Sequence, residues 1–185
     1  MAHSVCPWWL GYFLASPLRR LQYDPAALTA PYVRAGMTVL EPGPGMGFFT
    51  LELARRVGPS GRVVAVDIQP RMLARLKRRA ADAGLLACID ARLAQPDAMG
   101  TADLAGTVDF VWAFAMVHEM PSASAFFEQA VQAMKPGARM LFAEPSGHVN
   151  TSLFEAEIES AAQAGLRMSD RPAIRRSQAA VLLRV

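Results

Sequence analysis

Three glycines at alternate positions, Gly43, Gly45 and Gly47, lie between an apolar run and a helix-like run, and this feature constrains the fold most. Residues 37–42 (MTVLEP) read as a short strand, and residues 47–57 (GFFTLELARRV) carry helical spacing, with Phe48, Leu51 and Ala54 able to share one face. Glycines between a strand and a helix let the backbone turn and come close to a ligand without a Cβ clash. The helix start adds unpaired N–H groups and the positive end of its dipole. A second strand-like run, 62–68 (RVVAVDI), contains Asp67, 20 positions beyond Gly47. A carboxylate at that distance is suited to accept hydrogen bonds from two ribose hydroxyls. The combination predicts a binding site for a nucleoside-bearing cofactor.

The rest of the chain repeats the strand–turn–helix pattern. Residues 70–83 form a helix with Pro70 in its first turn and Gly84 at its end. Strands follow at 89–94 and 108–114, a helix capped by Ser122 at 122–134, a strand at 138–144, a helix at 152–164, and a final strand pair at 166–170 and 178–184. Such alternation predicts right-handed crossovers and an α/β, doubly wound, Rossmann-like, mostly parallel sheet. In such sheets ligands sit beyond the carboxyl ends of the strands. At 185 residues the chain suits a single domain over 1–185, with a core at 35–185.

The glycine spacing separates two nucleoside-binding classes. The dinucleotide fingerprint is G-x-G-x-x-G, whereas here the pattern is G-x-G-x-G, with Phe48 where the third dinucleotide glycine would stand. Glu41 also precedes the first glycine by two. E-x-G-x-G-x-G followed by Asp67 resembles the class I S-adenosylmethionine-dependent methyltransferases. VDFVWAF followed by MVHEMP, and MKPGARMLFAEP, resemble that family's fourth strand with its substrate-side loop and its turn into strand five.

The resemblance covers residues 35–185 and implies a seven-stranded sheet with an antiparallel C-terminal strand, S-adenosyl-L-methionine as cofactor, and methyl transfer as the activity. By position, Gly43, Gly45 and Gly47 would contact the methionine part of the cofactor, and Glu41 would orient that loop, often through the cofactor's amino group. Asp67 would bind the ribose and Ile68 would cover one face of the adenine. The acid that often touches the adenine amine has no clear equivalent in LAQPDAMG, where Gln95 or Asp97 would fill the place.

Methyl transfer from a sulfonium is an in-line displacement, helped chiefly by holding the reactants in position. A base is needed only where the nucleophile must lose a proton. His118 and Glu119 follow the fourth strand and are the candidate catalytic pair, His118 as base or orienting group and Glu119 for a cationic or hydroxyl-bearing substrate. The plainer reading has one of them capping the helix at Ser122. Glu144 and His148 read as polar rim residues at the end of the fifth strand. Cys88 sits in an apolar context and reads as core.

Other classes are disfavoured. With 52% hydrophobic and 19% charged residues the chain cannot be a disordered tail. A net charge of +3 does not call for a nucleic acid. Two cysteines make no disulfide framework, which predicts a reducing, cytoplasmic setting. His3 and Cys6 have metal-like spacing but no second pair, so no metal is predicted. The basic residues Arg71, Arg75, Lys77, Arg78 and Arg79 read as a solvated helix face. The aromatic stretch Val5–Ala15 lacks a preceding positive charge and is no secretory signal. Residues 4–22 are predicted to be a helical lid, with a homodimer contact second and membrane association third. A chain of this length leaves no separate substrate domain, so the acceptor is expected to be a small molecule. Two rival functions remain: a catalytically silent cofactor-binding subunit or regulator, and a nicotinamide-dependent oxidoreductase, against which the glycine spacing argues.

Overall fold

A computed structural model describes residue 19 and residues 21–185; most of the predicted lid, residues 4–22, lies outside the described residues. Seven strands form one sheet in the order β3-β2-β1-β4-β5-β7-β6. The strands are β1 (Thr38–Pro42), β2 (Arg62–Asp67), β3 (Ile89–Leu93), β4 (Val108–Phe114), β5 (Met134–Pro145), β6 (Leu166–Asp170) and β7 (Ser177–Arg184). The helices are α1 (Pro25–Thr29), α2 (Thr50–Val57), α3 (Pro70–Asp82), α4 (Ala123–Ala133) and α5 (Thr151–Gln163). The described chain divides into two compact units, one ending at Gln95 and one running Pro96–Val185.

In the first unit β1 and β3 both pair with β2 in parallel. Val39, Leu40, Val63, Val64 and Ala65 are fully buried, as expected for strands covered on both faces. α2 buries Leu53, Ala54 and Val57, and α3 buries Met72, Leu73, Leu76 and Ala80. The buried face of α2 is offset from the predicted one: Leu51 is half-buried, and Phe48 lies before the helix. The helix starts at Thr50 rather than Gly47 because Gly47 has φ +83° and spends the next residues in a turn. α1 is tied down by Arg56, which donates to Thr29 Oγ1 (2.7 Å) and to the Ala26 carbonyl (2.6 Å).

In the second unit β4 and β5 are parallel, and β7 runs antiparallel to both β5 and β6. β5 begins at Met134, four residues before the predicted strand: the first strand pair joins Val108 to Met134, and a register shift before Phe110 lets Lys135–Ala138 bulge past. Its core is aromatic, with Phe142 between Phe127 (edge-to-face, 5.5 Å) and Phe154 (stacked, 5.0 Å). Ser122 caps α4 by accepting from the Ala125 N–H, and Asn150 caps α5 by accepting from the Leu153 N–H. Cys88, expected in the core, is half-buried in the short turn that leads into β3.

Candidate functional site

The first unit carries the glycine loop at the carboxyl ends of β1 and β2. Gly43, Gly45 and Gly47 all have positive φ, +65°, +55° and +83°. At Gly47 an added Cβ would lie 2.6 Å from Leu76 Cδ1, so the third glycine lets α3 pack against the loop. At Gly45 an added Cβ would meet nothing within 4 Å among the described residues. Asp67, the last residue of β2, accepts hydrogen bonds from the Gly45 N–H (3.2 Å) and the Gln69 N–H (2.8 Å). Sequence reasoning placed Asp67 toward a ligand; it also pins the loop to β2. Arg79, expected on a solvated face, donates to the Met46 carbonyl at 2.5 Å and holds the loop from α3.

Glu41 is buried at the end of β1, and its Oε2 has no hydrogen-bond partner among the described residues. Burial pushes its carboxyl up to about 8; the Thr50 hydroxyl opposes this, the Asp67 charge adds to it and Arg19 opposes it. The Arg19 guanidinium lies 4.7 Å from the centre of the Phe48 ring beside the loop. An orphaned buried carboxylate oxygen next to an open, glycine-lined turn is what a cationic ligand group would complete. Ile68 follows Asp67 and is 37% exposed, free to cover a flat ligand. Gln95 lies two residues past β3, whose Leu93 is level with Asp67, and is exposed. Asp97 belongs to the other unit, where its carbonyl accepts from Gln129. Of the two candidates for the adenine contact, Gln95 is the one in the unit of the glycine loop.

The second unit carries a separate polar cluster. Ala115, directly after β4, has φ +57°, a left-handed conformation that only glycine adopts without cost. Its N–H donates to the Ala143 carbonyl (2.7 Å), and the chain then turns through Val117–Glu119. This turn brings His118 against Glu144, near the end of β5. Glu144 is fully buried, not the rim residue expected. Its Oε1 accepts from the Val117 N–H (2.7 Å), and its Oε2 lies 2.5 Å from His118 Nδ1. His118 therefore does not cap α4, a role Ser122 fills.

The other ring nitrogen of His118 faces two groups. His148 Nδ1 is 3.4 Å from His118 Nε2, with the rings edge-to-face, and Glu119 Oε1 is 3.9 Å from it. Glu157, on α5, is buried, and its Oε2 has no hydrogen-bond partner among the described residues. Burial and the Glu144 charge push its carboxyl up to about 7, against the pull of His118. Burial by itself would lower the His118 pKa, but the bond to Glu144 and the charges of Glu144, Glu119 and Glu157 raise it above 6.5. Among the described residues no group of three or more His, Cys, Asp or Glu is arranged to hold a metal ion. Sequence reasoning missed Glu157 and misread Glu144. Glu157 stands three residues after Phe154 and four before Ala161, on the buried face of α5, and an acid at that spacing was the available signal.

Residues 39–137 match a family model described as a methyltransferase domain. The chain is 31% identical over 121 residues to the ubiquinone/menaquinone biosynthesis C-methyltransferase of Idiomarina loihiensis, covering 65% of this chain and 47% of that protein. It is 28% identical over 138 residues to the arsenite methyltransferase of Halobacterium salinarum, covering 74% of this chain and 33% of that protein. The chain thus spans half or less of the length of these curated relatives. A crystal structure of a SAM-dependent methyltransferase from Aquifex aeolicus superposes with a TM-score of 0.87 at 22% identity, covering 98% of this chain and all of that one. A geranyl diphosphate C-methyltransferase from Streptomyces coelicolor, solved with S-adenosyl-L-homocysteine, superposes with a TM-score of 0.73 at 14% identity, covering 91% and 82%.

Proposed function

Since the chain belongs to the methyltransferase-domain family, whose cofactor is S-adenosylmethionine, we propose that it transfers the cofactor's methyl group to a small-molecule acceptor. The observation that supports this reading is the Glu41 Oε2, without a hydrogen-bond partner among the described residues, beside a glycine loop that Asp67 pins to β2. In this reading Glu41 receives the cofactor's ammonium, and Gly43, Gly45 and Gly47 line its methionine part. Asp67 takes the ribose, Ile68 covers the adenine, and Gln95 is favoured over Asp97 at the adenine amine. The cofactor supplies an electrophilic methyl on a sulfonium. His118 orients or deprotonates the acceptor, with Glu119 beside it. Among the described residues no helix is long and apolar enough to cross a membrane. The modest net charge of +3 and the two cysteines support a cytoplasmic setting without nucleic acid as substrate.

The two curated relatives differ in acceptor. Two cysteines in the whole sequence are few for thiolate-rich arsenic chemistry, which favours an organic acceptor like that of the C-methyltransferase relative. Incubation with methyl-labelled cofactor and a small-molecule extract tests the reading. A labelled small product is expected. Tight cofactor binding with no label transferred would instead support a silent binding subunit. A homodimer is compatible with the reading and would show as doubled mass in sedimentation.

A further inference from the structure

The second unit holds a buried carboxylate whose two oxygens are committed, one to a backbone N–H and one to the imidazole of His118. A carboxylate on Nδ1 fixes the tautomer: Nδ1 carries the proton, and Nε2 is left as an acceptor, 3.4 Å from His148 Nδ1. It also stabilises the imidazolium that forms when Nε2 takes a proton. His118 is 14% exposed at its side chain, so the ring is largely but not wholly shielded from solvent. Four charged or titratable groups act on this ring: Glu144 from β5, Glu119 from its own turn, His148 from the turn after β5, and Glu157 from α5. Three of the four are acids, and together they favour a positive ring. The backbone that delivers the ring is strained at Ala115, and such strain gathers at functional sites. A ring that merely oriented a substrate already carrying a free lone pair would need neither the buried carboxylate nor the acidic surround.

We infer that His118 and Glu144 form a proton-accepting dyad, and that the methyl acceptor is accordingly a protic one: an O–H, an N–H or an acidified C–H. The inference rests on the methyl-transfer reading. The electron pair of the acceptor atom forms the new bond to the methyl carbon. The carbon–sulfur bond breaks, its electron pair stays on sulfur, and the sulfonium becomes a neutral thioether. The acceptor's proton passes to His118 Nε2 and leaves to solvent after turnover. His118 is the catalytic residue of this step, and Glu144 is a positioning residue acting through it. Thioethers, tertiary amines and other acceptors with no proton to lose gain nothing from the dyad.

Two measurements on the full chain test this. The first is nitrogen NMR of histidine-labelled protein as a function of pH, in the wild type, Glu144→Gln and Glu144→Asp, each checked for folding by melting. His118 is expected with its proton on Nδ1 and a pKa above that of free histidine. Glu144→Gln should lower that pKa, and Glu144→Asp should restore part of it. The wild-type tautomer needs no variant, and a bare Nδ1 overturns the dyad. The second uses methyl-labelled cofactor with a small-molecule extract and sorts the products. O-, N- or C-methylated products are expected. Their rate should rise with pH along a limb set by His118, with kcat reduced 100-fold or more in His118→Ala while cofactor binding persists. In Glu144→Gln that limb should move to lower pH and kcat should fall more than KM changes. Sulfonium or quaternary ammonium products alone, or an unchanged rate in His118→Ala, overturn the protic acceptor. Bound cofactor with no product overturns the methyl-transfer reading and the acceptor class with it, and leaves the nitrogen shifts to decide the dyad.

Discussion

Glu41 is the residue whose charge state couples the cofactor site to the stability of the fold. Its carboxyl is pushed from 4.5 to about 8 by burial. Between those values the folded chain holds a proton that the unfolded chain has released. Unfolding is then favoured as pH rises, so this group's contribution to stability falls from pH 4.5 through about 8. Glu157, pushed up to about 7, acts in the same direction. Glu41→Gln is expected to flatten part of the decline, read as melting temperature against pH for the two proteins. A cationic cofactor group beside Glu41 would favour the ionised form, so binding near neutral pH should release a proton. Calorimetry in buffers of different ionisation enthalpy would show it; an enthalpy independent of buffer would place the cofactor's ammonium elsewhere. Ala115 is the other residue under tension. A left-handed alanine costs about 1–2 kcal/mol, while glycine costs roughly 0.4–1 kcal/mol through the unfolded chain. Ala115→Gly should therefore be neutral or stabilise by up to about 1.6 kcal/mol, measured by denaturant unfolding. A clear loss would mean that the methyl group packs to advantage.

The strand–glycine–helix element was the most legible part of the chain, because its residues are consecutive and their roles local. β1, β2 and α3 fall within a residue or two of the ranges expected from apolar runs, Pro70 and Gly84. Asp67 was legible by distance along the chain, yet its bond to the Gly45 N–H was not, since nothing in the sequence says which way a carboxylate turns. Arg79 was read as a solvated charge because four other basic residues surround it in α3; only the fold shows a carbonyl within its reach. The His118–Glu144 pair was half legible. The two residues are 26 positions apart and meet because β4 and β5 are neighbours and Ala115 turns left-handed. An alanine gives no sequence signal for that turn. Gly45 and Gly47 should answer differently to the same substitution. Gly47→Ala puts a Cβ against Leu76 in a left-handed backbone and should cost about 1–3 kcal/mol of stability. Gly45→Ala meets no described residue within 4 Å and should cost no more than the left-handed penalty of about 1–2 kcal/mol. Its methyl points where the ligand is proposed to lie, so affinity should fall tenfold or more. Melting and calorimetry on both variants check this, and equal affinities for Gly45→Ala and wild type would remove the loop from the binding site.

At the scale of the whole molecule, the order β3-β2-β1-β4-β5-β7-β6 has one unusual step, the insertion of β7 between β5 and β6. The sequence announced a final strand pair but not where it would sit. Seven paired residues join β5 to β7, from Arg139–Leu183 to Pro145–Ser177, and fix the stretch of β5 that ends in Glu144. A fold by itself does not choose the ligand; the glycine spacing does. S-adenosylmethionine and its demethylated product should both raise the melting temperature, and NAD should not. A ligand at 100 times its dissociation constant adds about 2.7 kcal/mol. For a domain of this size each kcal/mol moves the midpoint by about 2–4 °C, which gives a shift of about 5–10 °C. Asp67→Ala should remove most of that shift, since charge-assisted bonds of the kind proposed to the ribose are worth about 1.5–3 kcal/mol each. The Gly45 N–H would lose its partner in the same variant, so Asp67→Asn, which keeps an acceptor oxygen, separates the two roles. A melting shift with NAD equal to or larger than that with S-adenosylmethionine would overturn the cofactor assignment and, with it, the methyl-transfer reading.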